Sequence, residues 1–293
     1  MMPRPARRHP PNSKTPPRAF CDEIQMHSHE GGLTLIDRNH KGNPLQVEYA
    51  ELSLVGGREE NQDRIAVLTG PDAIMLIVAD GMGGHADGAR AAEVASETIA
   101  EAFRKIAHPV FDPQGFMHRA IGLAHARLVK MGPDLNVEFR PRATCVICLI
   151  QDDAAYWAHM GDSRIYLLRN SAILKRTRDH SHVELLLQEG LITEDEIAEH
   201  PMRNFVECCL GGDALLPGMT VTNQKRLEPG DTLVACSDGF WGGLEDEDIG
   251  LLGSGEGELS DELQRLAEQA VRSNGPNADN TSVIALRWKG PKR

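Results

Sequence analysis

The sequence predicts an α+β domain in which largely antiparallel sheets pack against helices. Runs of β-prone residues follow one another at short intervals, and connections as short as 151–153 join antiparallel neighbours. Longer stretches such as 87–107 carry apolar residues every three or four positions, which predicts amphipathic helices. Because strands and helices do not alternate regularly, a layered α+β arrangement is favoured over a doubly wound parallel sheet.

Ordered structure is expected to begin near Gln46. Strands are predicted, in chain order, at QVEYAELSLV, RIAVLT, AIMLIVA, ATCVICLIQ, AAYWAHM, RIYLLR, AILKR, VTNQKRL, TLVACS and TSVIALRW. Helices are predicted over 87–107, 114–131 and 259–272. Between residues 182 and 210, the segments VELLLQEG, TEDEIAEH and MRNFVECCL predict a helical insert that lies over the sheet.

Composition narrows the class of protein. The chain has 293 residues and a hydrophobic fraction of 41%, which is enough for a sizeable core. A net charge of −12 argues against nucleic acid as a partner, because binding a phosphate backbone requires a basic face. No apolar stretch is long enough for a membrane helix. The six cysteines form no evident disulfide framework, which predicts a cytoplasmic protein.

Residues 1–45 differ in composition from the rest of the chain. The first twenty residues hold five Lys or Arg, no acidic residue and many prolines, and they lack the apolar core of a secretory signal. We therefore predict a disordered Pro/Arg-rich tail over 1–45, with an electrostatic tether as the functional alternative. A single domain is predicted over 46–290.

Four aspartates follow or precede strand-like runs in short polar or glycine-rich settings. They are Asp63, Asp80, Asp238 and Asp279. An isolated carboxylate is expensive to bury, so a convergence of these residues would require a cation between them. Aspartate is a hard oxygen ligand, which suits Mg²⁺ or Mn²⁺ better than zinc. Taken singly, each could instead be an ordinary turn or cap residue.

Two further residues fit a site of this kind. Gly81 follows Asp80 and lets the backbone carbonyl approach a metal ion without a side chain in the way. Arg58 lies five residues before Asp63 and offers a fork of donors to phosphate oxygens, although taken alone it is better explained as a surface charge. Paired divalent ions can activate a water molecule and clamp a phosphoryl group.

Local motifs, in chain order, extend this pattern along most of the sequence. They read R-E-E-N-Q-D, V-A-D-G-M-G-G, G-D-S-R-I-Y-L-L-R, R-D-H-S, L-G-G, C-S-D-G and D-N-T-S-V-I. With these motifs, residues 51–288 resemble the metal-dependent protein phosphatases of type 2C in their bacterial form. The resemblance implies an α/β/β/α fold, in which a central antiparallel β-sandwich is flanked by helices on both sides. It also implies hydrolysis of phosphoserine and phosphothreonine on proteins by a metal-activated water.

The resemblance assigns roles to individual residues. It implies that Asp80, Asp238 and Asp279 hold one Mn²⁺ or Mg²⁺ ion, and that Asp80 and the Gly81 carbonyl hold a second ion with Asp63 in or behind its shell. A third, weaker ion is implied at Asp162, shared with Asp238. Arg58 would bind the substrate phosphate, and Asn280 would support Asp279.

The same resemblance makes residues 182–210 a flap that governs substrate access. It implies that phosphorylated proteins are the substrates, with a cognate Ser/Thr kinase as counterpart and a monomeric enzyme. One departure from the family pattern is Met82, which stands where many eukaryotic members carry a histidine proposed as general acid. Bacterial members commonly have methionine there, so leaving-group protonation falls to a metal-bound water or to another group.

Two other functions were weighed. The stretch 81–86 matches the G-x-G-x-x-A pattern of dinucleotide-binding oxidoreductases, but a Rossmann unit requires a second parallel strand, and here a helix is followed by another helix. A catalytically weak regulator that only binds phosphoproteins is the other alternative. The presence of every metal-site acid argues against it.

Overall fold

The computed structural model describes residues 45–82, 86–132, 134–136 and 139–291. The strands are β1 Leu45–Leu54, β2 Asp63–Thr69, β3 Ala73–Met82, β4 Arg142–Ala143, β5 Cys145–Gln151, β6 Ala154–Met160, β7 Arg164–Arg169, β8 Ala172–Arg176, β9 Leu210–Gly211, β10 Thr220–Val221, β11 Lys225–Arg226, β12 Thr232–Cys236 and β13 Thr281–Pro291. The helices are α1 Ala86–Lys105, α2 Pro113–Val129, α3 His182–Gln188, α4 Glu194–Ile197, α5 Asp238–Trp241, α6 Asp246–Gly250 and α7 Leu259–Asn274. Apart from Leu45, the predicted tail lies outside the described residues, as do residues 83–85 of the glycine-rich motif.

Two antiparallel sheets form the centre of the protein. One has five strands in the order β1-β13-β12-β7-β8. The other has eight strands, in the order β10-β6-β5-β3-β4-β9, with β11 paired to β6 and β2 paired to β3. Every strand pairing in the described ranges is antiparallel, so the parallel sheet that a dinucleotide-binding fold requires is not formed there.

Side chains of β3 show how the layers are built. Ile74, Leu76 and Val78 point between the two sheets, whereas the alternate residues Met75 and Ile77 pack under α1 and α2. This is the period of two expected for a strand that is buried on both faces. All five residues are fully buried, so β3 contributes to both the sheet–sheet core and the sheet–helix core.

A third apolar layer covers the five-stranded sheet. Leu263, Leu266 and Ala267 of α7 pack against Val234 of β12 and Val283 of β13. The order of layers is therefore helices, sheet, sheet, helices. The predicted α/β/β/α sandwich is confirmed. The helices predicted over 87–107, 114–131 and 259–272 correspond to α1, α2 and α7.

One predicted helix is wrong. Residues 201–204 form turns rather than a helix, and Val206 bridges Ser181. The backbone N–H of His182 donates to the Phe205 carbonyl at 2.9 Å, and that of Glu207 donates to the His180 carbonyl at 2.8 Å. These bonds to a segment more than twenty residues away replace the local i to i−4 bonds that a helix requires.

Two other differences are local. The run VTNQKRL, predicted as one strand, forms two short strands, β10 and β11, which both pair with β6. The short helices α5 and α6 follow β12 and were not predicted, because each is too short to show helical periodicity. Within the described ranges, no helix is both long enough and apolar enough to span a bilayer.

Candidate functional site

Asp63 and Asp80 lie directly opposite each other on neighbouring strands. Asp63 is the first residue of β2, Asp80 is near the end of β3, and the antiparallel register pairs the two positions. Side chains at paired positions on one face stand about 5 Å apart at their Cβ atoms, and like charges there repel. Strand pairing alone therefore brings two carboxyl groups together at one edge of the eight-stranded sheet.

The same geometry places a second pair of carboxyl groups at the edge of the five-stranded sheet. Asp238 comes two residues after β12, and Asp279 comes two residues before β13. Because β12 and β13 are antiparallel, the end of one strand and the start of the other share an edge.

Hydrogen bonds join the two sheet edges. The Ser237 hydroxyl donates to Asp63 Oδ2 at 2.7 Å, and the Gln62 N–H donates to Asn280 Oδ1 at 2.8 Å. Ser237 and Asn280 each stand next to one aspartate of the five-stranded sheet, so these bonds hold all four aspartates at one end of the sandwich.

Asp162 adds a fifth carboxyl group from the turn between β6 and β7. The preceding residue, Gly161, has φ +101°, and a Cβ there would lie 2.6 Å from the Cβ of Thr144. A side chain at 161 would thus be strained as well as obstructed. Asp162 is 8% exposed, and its Oδ1 atom has no hydrogen-bond partner among the described residues.

The carboxyl groups raise one another's pKa. Burial raises the pKa of Asp63 to about 7, with further contributions from the charges of Asp238 and Asp279. Burial and the Asp238 charge raise the pKa of Asp162 to about 8. The pKa of Asp238 is raised to about 6 by burial and then by Asp279.

Asp80 interacts with every other aspartate of the group. Burial raises the pKa of its carboxyl group well above the ordinary value, and the charges of Asp63, Asp238, Asp162 and Asp279 raise it further. This mutual destabilisation of the ionised forms is what a bound cation would relieve.

Arg58 lies at the open side of the group. Its Nη2 atom donates to Asp279 Oδ2 at 2.7 Å, and both side chains are substantially exposed, at 56% and 40%. Asn280 holds the other carboxylate oxygen of the same aspartate, since its backbone N–H donates to Asp279 Oδ1 at 2.8 Å. The Asn280 amide also donates to the carbonyls of Val55 and Glu60, which anchors the loop that carries Arg58.

Gly81 is held close to the backbone of neighbouring segments. Its N–H donates to the Gln62 carbonyl at 3.2 Å, and a Cβ at this position would lie 2.0 Å from the Gly88 carbonyl oxygen. Only glycine fits such an approach without displacing the backbone, so the sequence reading of Gly81 as a close-approach position has a structural reason.

The donor set suits a hard divalent cation. Its side-chain donors are carboxylate oxygens, and Asp63 Oδ1 and Asp162 Oδ1 are buried without partners in the part of the chain described here. In the arrangement seen, no three His, Cys, Asp or Glu side chains of the described residues are grouped tightly enough to hold one ion together. Arg58 and Ser237 instead engage Asp279 and Asp63.

Comparison with known proteins identifies the family. The sequence model of the family described as protein phosphatase 2C matches residues 56–278. The chain belongs to the protein phosphatase 2C family. The serine/threonine protein phosphatase PstP of Mycobacterium tuberculosis is 35% identical over 249 residues, which cover 82% of this chain and 45% of PstP. The chain therefore spans about half the length of that relative.

Solved structures of protein phosphatase 2C relatives share the fold. The serine/threonine phosphatase of S. agalactiae has a TM-score of 0.75 at 29% identity, covering 83% of this chain and 99% of that one. The catalytic domain of PstP in complex with two manganese ions has a TM-score of 0.68 at 30% identity, covering 82% of this chain and 97% of that one. The resemblance to bacterial type 2C phosphatases inferred from the motifs is confirmed.

Sequence reasoning missed a set of residues that positions Asp162 in this phosphatase 2C domain. Arg164 donates to both carboxylate oxygens of Asp179, at 2.8 and 2.7 Å. Its guanidinium carbon lies 3.4 Å from the centre of the Trp241 ring, and Trp241 Nε1 donates to the Asp162 carbonyl at 3.0 Å. Trp241 lies two residues after the C-S-D-G motif, and no local signal connects it to Arg164.

Proposed function

We propose that this chain hydrolyses phosphoserine and phosphothreonine monoesters on proteins with the help of bound divalent metal ions. The observation that carries the proposal is the meeting of Asp63, Asp80, Asp238 and Asp279 at one end of both sheets, held by the Ser237 and Asn280 bonds. Membership of the phosphatase 2C family supports the same reaction.

The ions are proposed to be Mn²⁺ or Mg²⁺. Asp80, Asp238 and Asp279 would hold one, and Asp80 with the Gly81 carbonyl would hold the second, with Asp63 in or behind its shell. A third and weaker ion would lie at Asp162, shared with Asp238. The two manganese ions of the PstP catalytic domain support a centre of this kind. When bound, such ions lower the pKa of a water molecule and offset phosphoryl charge.

The chain's own residues would orient the substrate and the ligands. Arg58 is the phosphate-binding group, because its exposed guanidinium stands at the open side of the carboxylates. It pairs with Asp279 here and would turn to the phosphate once a cation neutralises that carboxylate. Ser237 holds the orientation of Asp63, and Asn280 holds that of Asp279. Uncharged donors suit this task, since they fix an oxygen without cancelling its charge.

The setting of the activity is also part of the proposal. The substrates are phosphorylated proteins, opposed by a cognate Ser/Thr kinase, and the enzyme acts in the cytoplasm as a monomer. Residues 46–290 are proposed as the catalytic domain and 182–210 as a flap beside the site. The relative PstP, which is named as a serine/threonine protein phosphatase, supports the choice of substrate.

The test is a phosphatase assay with phosphothreonine and phosphoserine peptides. We expect turnover with Mn²⁺, loss of turnover after treatment with EDTA, and recovery when Mn²⁺ is restored, because the site carboxylates repel a phosphate group unless a cation neutralises them. Activity that is indifferent to the chelator would contradict the proposal. Tight binding of phosphopeptides without turnover in Mn²⁺ would favour the phosphoprotein-binding regulator.

A further inference from the structure

A cavity of about 480 Å³ lies between the end of β8, the strands β6 and β10, and the segment 182–210. Its lining includes Lys175, Arg176, Arg178, His159, His180 and Thr220. We call it the cationic cavity. The R-D-H-S motif supplies Arg178, Asp179 and His180 to its lining, but the proposed reaction at the aspartate group assigns the cavity no role.

The charge of the cavity is positive although the chain as a whole carries −12. Lys175 is exposed and makes no ion pair within the described ranges. Arg178 is exposed and approaches Glu184 only at 3.9 Å. Of the acidic residues in the lining, Asp179 is held by both arms of Arg164, and Glu207 lies 2.8 Å from His182 Nδ1.

The floor of the cavity consists of two stacked imidazole rings. The rings of His159 and His180 lie 4.5 Å apart at an angle of 26°. His159 is 1% exposed and donates from Nε2 to the Arg178 carbonyl at 2.7 Å, which leaves its Nδ1 atom an acceptor. That atom has no partner among the described residues.

His180 also orients the hydroxyl group of Thr220, which lies beside the two rings. Its Nδ1 atom accepts from the Gly161 N–H at 3.4 Å, so Nε2 carries the proton and donates to Thr220 Oγ1 at 2.9 Å. The Thr220 hydroxyl is then available as a donor. Burial lowers the pKa of His180 to about 4, so this ring is neutral at pH 7.

The cavity adjoins the aspartate group through the backbone. The His180 N–H donates to the Gly161 carbonyl at 2.9 Å, and Gly161 directly precedes Asp162. Asp179, in the cavity wall, is close enough to Asp162 to raise the pKa of its carboxyl group. A peptide that places one phosphorylated residue at the aspartates therefore has a neighbouring residue within reach of the cavity.

We propose that the cationic cavity binds a second phosphoryl group of the protein substrate, so that substrates phosphorylated at two nearby residues are preferred. The proposal rests on the proposed function, since it names the substrate class of the same enzyme. Lys175 and Arg178 supply charge-assisted donors and Thr220 supplies a hydroxyl donor.

A phosphoryl group fits this lining better than a carboxylate. A phosphomonoester carries a charge of about −1.5 to −2 at neutral pH and three strong acceptor oxygens. Lys175, Arg178 and Thr220 can each donate to one of these oxygens. An ionised glutamate carries one charge and two acceptor oxygens.

The test compares singly and doubly phosphorylated peptides on the full chain with Mn²⁺. The second phosphoserine is placed about two to six residues from the phosphothreonine on either side, an offset of roughly 7 to 20 Å in an extended peptide. We expect kcat/KM to rise about tenfold at one or more offsets, the size of one or two charge-assisted hydrogen bonds. Glutamate at the same offset should give a smaller rise.

Charge-reversal variants test whether the preference for doubly phosphorylated peptides comes from the cationic cavity. In Lys175→Glu/Arg178→Glu the ratio of kcat/KM between the doubly and singly phosphorylated peptides should fall to about one, since the cavity supplies the preference. The matched control is Arg104→Glu in α1, an exposed cation outside the cavity lining, which should keep the ratio. A ratio near one in the unmodified chain, or an unchanged ratio in the double variant, would overturn the proposal.

Binding to Asp80→Asn, followed by fluorescence anisotropy of labelled peptides, separates this proposal from the proposed function. Tighter binding of the doubly phosphorylated peptide that the Lys175→Glu/Arg178→Glu changes remove would support the cavity even without turnover. Turnover without any preference for the doubly phosphorylated peptide would contradict binding of a second phosphoryl group in the cavity and leave the proposed phosphatase activity intact. If inorganic phosphate added with the singly phosphorylated peptide restores the full rate, the cavity takes a free anion and the substrate assignment is wrong.

Discussion

Asp231 and Asp63 are both buried, but the protein surrounds their carboxyl groups in different ways. Both oxygens of Asp231 accept from Arg169, at 2.7 and 2.8 Å, and the Glu228 N–H adds a further bond. Asp63 receives the Ser237 hydroxyl on one oxygen, and its Oδ1 atom has no partner among the described residues. One carboxylate has a cation supplied by the chain, and the other does not.

The difference separates buried acids that the chain itself neutralises from those that we propose as metal ligands. Asp179, like Asp231, is held by both arms of an arginine. Asp63, Asp80, Asp162 and Asp238 have raised pKa values because burial and neighbouring carboxylates act together without an arginine in contact. A structural carboxylate is neutralised within the chain, whereas this group leaves negative charge for a ligand to neutralise.

Asp80→Asn is expected to have the largest effect. Removing this charge should lower kcat by about a thousandfold or more, because Asp80 is the proposed ligand of both ions. The folded state in EDTA should be at least as stable as the parent, since one repelling charge is gone. Kinetics with Mn²⁺ and thermal unfolding in EDTA check the two parts. A stable variant with full turnover would remove Asp80 from the site.

Asp231→Asn should lower stability and leave turnover nearly unchanged, which is the reverse of the effect expected for Asp80→Asn. The change leaves Arg169 without its buried partner, and breaking such a pair costs about 3 kcal/mol of unfolding free energy. Turnover per folded molecule should stay close to that of the parent, because Asp231 lies at the far end of β12 from the aspartates. Urea unfolding and kcat measured at 15 °C check this. A loss of turnover without a loss of stability would contradict the contrast with Asp63.

Arg58→Ala should raise KM about tenfold with a smaller change in kcat, because a group that binds phosphate in both ground and transition states mainly affects binding. Its ion pair with Asp279 is exposed, so stability should change little. Steady-state kinetics with a phosphopeptide measure the effects on KM and on kcat separately. Arg58→Lys is the matched variant and should recover part of the binding through its charge. An unchanged KM would exclude phosphate binding by Arg58.

The stability of the metal-free protein should fall as the pH rises from 6.5 to 8. The ordinary pKa of these acids is 3.8, whereas in the fold Asp238, Asp63 and Asp162 have pKa values of about 6, 7 and 8. Buried histidines such as His180, whose pKa burial lowers to about 4, act in the opposite direction below pH 6.5. Above pH 6.5 the histidines are neutral in both states, so the aspartates make stability decline as the pH rises to 8. Thermal unfolding in EDTA at pH 6.5 and pH 8 should show a lower Tm at the higher pH.

Mn²⁺ should oppose this decline, because it binds the deprotonated carboxylates more tightly as the pH rises. Asp162→Asn in EDTA should reduce the slope, because it removes the group whose pKa is raised to about 8. A Tm that rises from pH 6.5 to pH 8 in EDTA would mean that the carboxyl groups are already compensated within the fold.

Much of the fold was accessible from local pattern. Alternating and continuous apolar runs located β1, β2, β3 and the strands from β5 to β8, and the three long helices followed from their period. The helix predicted for MRNFVECCL, residues 202–210, was wrong because the backbone of this segment bonds to residues 180–182, which no short window of sequence can reveal. The short helix α5 was not predicted, because four residues are too few to show helical periodicity.

The sequence by itself determined the chemistry offered by this protein. It placed Asp63, Asp80, Asp238 and Asp279 beside strand ends, and antiparallel pairing of adjacent segments then brings each pair to one sheet edge. The tertiary structure alone decided how the two edges meet, through Ser237 on Asp63 and Gln62 on Asn280, and how Arg164 and Trp241 support Asp162. It also alone created the cationic cavity. Strand periodicity is a property of neighbouring residues, whereas these contacts join side chains that are distant along the chain and depend on how the layers pack.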